Sequence, residues 1–132
     1  MTRRIAALSA CCVVPLALAS CASSPKRDAV TAAASDFVTA LAGGDGGGAC
    51  ALLTEQARAS ASGATNTPCA QAIVSIKPSG RTASGVQVWG DAAQVRMGTD
   101  VLFLRLIDGR WLISAAGCKP QPKGPYDCTV ES

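Results

Sequence analysis

Two periodicities divide this chain. Over 28–41 the apolar positions Val30, Ala34, Phe37, Val38 and Leu41 recur at helical spacing. That pattern predicts an amphipathic helix, with Asp28 as N-cap and Gly43-Gly44 ending it. Asp45-Gly46-Gly47-Gly48 reads as a flexible link, and a second helix is predicted over 49–60, burying Cys50, Leu53 and Ala57. After a small polar loop at 61–65, Thr67-Pro68 supplies an N-cap followed by proline at the first helical position. A third, short helix is expected next, carrying Cys69, Ala72, Ile73 and Ile76 until Lys77-Pro78-Ser79-Gly80 stops it.

Beyond that point the period falls to two. Segments 86–89 and 92–97 flank Gly90-Asp91, and 101–107 and 110–115 flank Asp108-Gly109. Each reads as a hairpin, since Asp-Gly between apolar strands is a strong two-residue turn signal. With that turn, Leu106 faces Trp111, Leu104 faces Ile113 and Leu102 faces Ala115, and these six form one core-facing side. The other side carries Phe103, Arg105, Ile107, Leu112 and Ser114, which is too apolar to stand fully in water. Part of it must be covered or line a cavity. Helices first and antiparallel strands after give an α+β domain.

The first twenty residues obey a different rule. Arg3 and Arg4 precede an apolar run over 5–19 that ends in Leu18-Ala19-Ser20-Cys21. A basic start, an apolar stretch and small residues at the cleavage point make a secretory signal. The run is shorter than the roughly 20 apolar residues of a spanning helix and contains Pro15. Leu18-Ala19-Ser20-Cys21 resembles the lipobox of bacterial lipoproteins, which implies that Cys21 is diacylated and becomes the mature N-terminus. Leu8-Ser9-Ala10-Cys11 has the same pattern but leaves too short an apolar region after Arg4. The expected organisation is a signal peptide over 1–20, a lipidated tether over 21–28 and one α+β domain over 29–132. Two acyl chains hold stably where one holds reversibly. A flexible link of this length spans only about 15 Å, so the domain should sit close to the bilayer at the extracytoplasmic face.

The charge balance narrows the partners. The chain has 12 Lys and Arg against 9 Asp and Glu, a net charge of +3, and losing Arg3 and Arg4 leaves the mature chain at +1. Without a basic cluster, nucleic-acid binding is not expected. Of seven cysteines, Cys50, Cys69, Cys118 and Cys128 remain once Cys11, Cys12 and Cys21 are set aside. Four cysteines in a small exported domain read as disulfides with three connectivities. Cys50–Cys69 and Cys118–Cys128 are favoured because each closes a short loop. The chain has no histidine and no Cys-x-x-Cys, so neither a metal nor a cofactor is expected.

Three stretches together resemble the nuclear-transport-factor-2-like (cystatin-like) superfamily. They are Phe37-Val38-Thr39-Ala40-Leu41-Ala42-Gly43-Gly44-Asp45, Trp89-Gly90-Asp91-Ala92-Ala93-Gln94-Val95, and 104–108 with Gly109-Arg110-Trp111 after it. The resemblance implies helices packed into a strongly curved sheet to form a cone. The closing stretch, 111–120 with Pro125-Tyr126-Asp127-Cys128, resembles the C-terminus of uncharacterised actinobacterial lipoproteins. Enzymes of that superfamily keep an acid or base inside the cone, for which this chain offers Asp36, Asp45, Asp100 and Tyr126. Asp36 sits off the apolar stripe, Asp100 comes after Gly98-Thr99 as a turn residue would, and Tyr126 lies in a Pro/Gly-rich loop. No catalytic role is assigned to any of them. Arg105, Trp89 and Tyr126 are the candidate ligand or partner contacts, and the proline-rich 118–128 loop reads equally as a stapled docking element or as a clasp tying the last strand back to the sheet. The sequence thus reads as a membrane-tethered, non-enzymatic domain binding an envelope protein or a small apolar ligand. The alternatives are a small cone-fold cyclase- or isomerase-like enzyme and a structural envelope lipoprotein.

Overall fold

The computed structural model describes residues 24–63 and 66–132. The expected signal peptide over 1–20, the expected acylation site Cys21 and tether positions 22–23 lie outside the described residues. Helix α1 (Pro25–Ala42) buries the expected stripe of Val30, Ala34, Phe37, Val38 and Leu41. It starts earlier than Asp28 predicts, because the Ser24 hydroxyl accepts the Arg27 amide at 3.3 Å and Pro25 takes a first-turn position. The link expected as flexible coil is therefore helical from Pro25 onward. No helix among the described residues is long and apolar enough to cross a membrane.

The single helix expected over 49–60 is two. Helix α2 (Gly46–Ala51) is capped by Asp45, whose carboxylate accepts the Gly48 amide at 2.8 Å. Helix α3 (Glu55–Gly63) starts at Thr54, whose hydroxyl accepts the Ala57 amide at 3.2 Å. Between them the chain pairs with the sheet: the Ile113 amide donates to the Leu52 carbonyl at 2.8 Å, and the Thr54 amide donates to the Ile113 carbonyl at 2.9 Å. Those groups cannot also serve a continuous helix. Helix α4 (Cys69–Ala72) and a 3₁₀ turn (Ile73–Ser75) come next, with Pro68 rather than Thr67 at the N-cap.

The second half is an antiparallel meander, β1 (Ala83–Trp89), β2 (Ala92–Met97), β3 (Asp100–Ile107) and β4 (Arg110–Cys118), closed by β5 (Val130–Glu131) on β4. Asp108 and Gly109 both have positive φ (49° and 77°), as a type I′ hairpin requires. Both predicted hairpins form, and a third, turning at Gly98-Thr99, joins them.

One register detail changes the core. Leu106 pairs Trp111 and Leu104 pairs Ile113, as predicted, but Phe103 rather than Leu102 pairs Ala115. An extra β4 residue at Ser114 causes this, because a bulge turns the residues after it to the opposite side. A second irregularity brings Cys118 opposite Val101, and Gly117 between them has φ +66°. Ala115 therefore leaves the main core and Ala116 takes its place, packing with Phe37, Leu53, Ile73, Met97, Leu104 and Ile113. On the outer side of the sheet, Val101, Ala115 and Cys118 form a second small core covered by Phe103, Tyr126 and Cys128. Covering this part of the apolar outer face is thus the work of the C-terminal loop.

Candidate functional site

Two surfaces of the sheet could carry function, the inner side against the helices and the outer side. The inner side is close-packed under α1, and an open depression of about 360 Å³ lies further along it between α3, α4 and β5, bordered by Ser60, Gln71, Ile76 and Val130. Between α1 and the sheet, the gap lined by Phe37, Val38, Leu41, Ile76, Pro78, Met97, Asp100, Leu102 and Gly117 holds only about 10 Å³. A single ordered water needs about that much.

Asp100 is the one acid candidate at this gap, and it is not a solvated turn residue. It opens β3, is buried, and is already engaged. Its carboxylate accepts the Ser79 amide at 2.9 Å and the Lys119 ammonium at 3.0 Å, and its own amide donates to the Ser79 hydroxyl at 3.0 Å. The Ser79 hydroxyl also accepts the Thr99 amide and donates to the Met97 carbonyl, so this cluster pins the chain before β1 onto the β2–β3 turn. Burial by itself pushes the Asp100 carboxyl up. The hydrogen bonds from Ser79 and the Lys119 ammonium outweigh it and hold the pKa below the ordinary 3.8.

The other acid candidates lie apart. Asp36 is exposed on α1, Asp45 is spent capping α2, and Tyr126 packs edge-on against Phe103 at 5.1 Å between ring centroids on the outer side. Among the described residues no three His, Cys, Asp or Glu side chains gather into a metal-binding cluster.

The outer side is different. Trp89, Ala92, Arg105 and Leu112 occupy successive strands of one row, because each pairs with the next. Trp89 is 55% exposed and Ile107, two residues along from Arg105, is 40% exposed. Arg105 is held by Asp91 at 3.0 Å, with both side chains largely in water, so the pair orients the guanidinium more than it stabilises the fold. The next row runs Gln87, Gln94, Phe103 and Ala115. Beside it Phe103, Ala115, Pro125, Tyr126, Cys128 and Glu131 border an open depression of about 260 Å³.

No family model, curated protein or solved structure matches this chain. The site therefore rests on its own geometry. Arg105, Trp89 and Tyr126, singled out separately in the sequence, all fall on the outer side, with Trp89 and Arg105 in one row. Two disulfides, Cys50–Cys69 and Cys118–Cys128, span 19 and 10 positions, the second fixing the loop that carries Tyr126. Sequence reading missed Ser79, whose partners lie about twenty residues away, and Thr54, whose Thr-Glu start to a helix was a readable cap signal.

Proposed function

We propose that this chain is a lipid-anchored, extracytoplasmic domain that binds an envelope protein through the outer face of its sheet and performs no chemistry itself. In this reading Cys21 carries the acyl chains and the helices and sheet form a cone of the nuclear-transport-factor-2-like kind. The observation that carries it is the contrast between the two sides. Under α1, where Asp100 lies, the inner side leaves a gap of only about 10 Å³, while the outer side exposes Trp89 and Ile107 beside Leu112 and Arg105. Exposed tryptophan and arginine are the side chains that most often anchor protein interfaces. A loop stapled by Cys118–Cys128 and stiffened by Pro120, Pro122 and Pro125 loses little freedom on docking.

A cone-fold enzyme would need an open inner cavity and a carboxyl or tyrosine free to move a proton there. Asp100, the acid at that gap, is held ionised by Ser79 and Lys119, which weighs toward the binding reading. A photo-cross-linker at Leu112 in membrane-held protein should trap a defined protein partner. One at Asp36, exposed on α1 across the domain, should trap none. Equal labelling from both positions, or none from Leu112, contradicts the reading.

A further inference from the structure

The sheet has two ends, and the fold treats them differently. The outer edge of β4 is taken up by residues 52–54 and by β5. The outer edge of β1, at the other end, pairs with nothing among the described residues. Natural edge strands are usually guarded by charge or proline, and Ala83-Ser84-Gly85-Val86-Gln87-Val88-Trp89 has neither, only a bulge at Ser84.

Hydrogen-bond geometry restricts what can pair there. The two-residue turn makes Trp89 and Ala92 a mutually bonded pair, so Trp89, Gln87 and Gly85 turn their backbone groups toward β2. Val86 and Val88 turn theirs outward. A second copy running antiparallel meets them in one good register, Val86 against Val88 of the copy and the reverse, with Gln87 facing itself on the two-fold axis. A two-residue slip one way runs into the Ser84 bulge, and the other way runs off the strand at Gly90.

That register is also complementary on the outer face. It sets Trp89 opposite Gly85 of the copy. Gly85, Gln87, Gln94 and Arg96 line a depression of about 140 Å³, and a Cβ built on Gly85 finds only the Arg96 Cβ, at 3.9 Å. Arg96 has no ion-pair partner among the described residues, so its guanidinium is free to lie against an indole. Covering an edge glycine with an aromatic side chain from the neighbouring strand is a known way of stabilising strand pairs. No charge lies within the paired segment, so copy meets copy without like-charge repulsion.

We propose that β1 pairs with β1 of a second copy about a two-fold axis through Gln87, with Trp89 of each copy seated over Gly85 of the other. The pairing uses the strand edge and goes beyond the docking face above: it takes Trp89 into the contact between copies and leaves Arg105, Ile107 and Leu112 of each copy for a protein partner. A strand-edge contact this short makes a small interface, so association is reversible and rises with concentration.

Sedimentation velocity of the intact protein over a dilution series tests the pairing. The sedimentation coefficient should climb from monomer to dimer. Trp89→Ala and Val88→Pro should each move the midpoint at least tenfold toward higher concentration, and Asp36→Ala should leave it unchanged. Gln87→Cys reports independently of any folding defect in those variants. Facing Cα atoms of such a pair lie about 4.5 Å apart, within disulfide reach, so mild oxidation should link the copies. Gln94→Cys, one strand further in, should not link. A monomer at every concentration with no Gln87→Cys linkage overturns the proposal and leaves the edge to a strand of another protein. A dimer unmoved by both Trp89→Ala and Val88→Pro overturns it too.

Discussion

Asp100 shows how far single residues could be read from this sequence. Its position after Gly98-Thr99 marks a turn, and nothing nearby in the chain signals that its carboxylate is buried against Ser79 and Lys119. Arg105, Trp89 and Asp36 were more legible, since alternation along a strand or spacing along a helix places a side chain on a face without knowledge of distant partners. The two partners of Asp100 contribute differently. Asp100→Ala leaves the Ser79 amide without its acceptor and should destabilise by about 1–3 kcal/mol. Lys119 is 65% exposed, so Lys119→Ala should cost under about 1 kcal/mol. The folded-state pKa of Asp100 is depressed, so its contribution is complete above the ordinary 3.8 and is lost as pH falls through the lower folded value. Urea unfolding of wild type and Asp100→Asn at pH 7 and near pH 3 should therefore show the two converging in acid. A gap that stays constant or widens contradicts the assignment.

At the scale of elements, local pattern was sufficient where an element answers to its own sequence. The apolar stripe of α1 and the two Gly/Asp turns are of that kind. Reading failed where a distant strand decided the outcome. Ile113 breaks the 49–60 helix by bonding to Leu52 and Thr54, and an extra residue at Ser114 turns Ala115 outward. Neither has a local hydrophobic signature, because Leu52, Leu53 and Ala115 suit either arrangement. The β2–β3 turn carries a similar long-range constraint. Gly98 has φ +63°, and a Cβ there would stand 2.8 Å from the Ser79 carbonyl, whereas one at Gly109, φ +77°, would meet nothing within 4 Å. Both replacements by alanine meet the left-handed penalty of about 1–2 kcal/mol, and only Gly98→Ala adds a backbone collision. Thermal melts should thus rank Gly98→Ala clearly below Gly109→Ala. Equal melting temperatures would mean that the Ser79–Gly98 crossing is looser than described.

For the whole molecule, order of elements made the α+β class legible, and a preference for short loops among the three connectivities picked out both bridges. What the sheet does with its two faces was legible only in part. Alternation showed that the outer face was too apolar for water, but not that Tyr126 and the Cys118–Cys128 loop cover its Val101–Ala115 side and leave Trp89 and Ile107 out. Nor could pattern tell how much space the helices leave against the sheet, since the same apolar residues can line a filled gap or an open one. The proposed function makes this a tethered domain that works from the outer face of its sheet and holds no small molecule. Native mass spectrometry of the protein taken from its own membrane, paired with a denatured run, tests it most directly. The denatured mass should correspond to a chain starting at an acylated Cys21 with two disulfides. The native spectrum should add only protein-sized partners or a second copy. A small molecule retained in the native run, or an unmodified Cys21, would contradict the account.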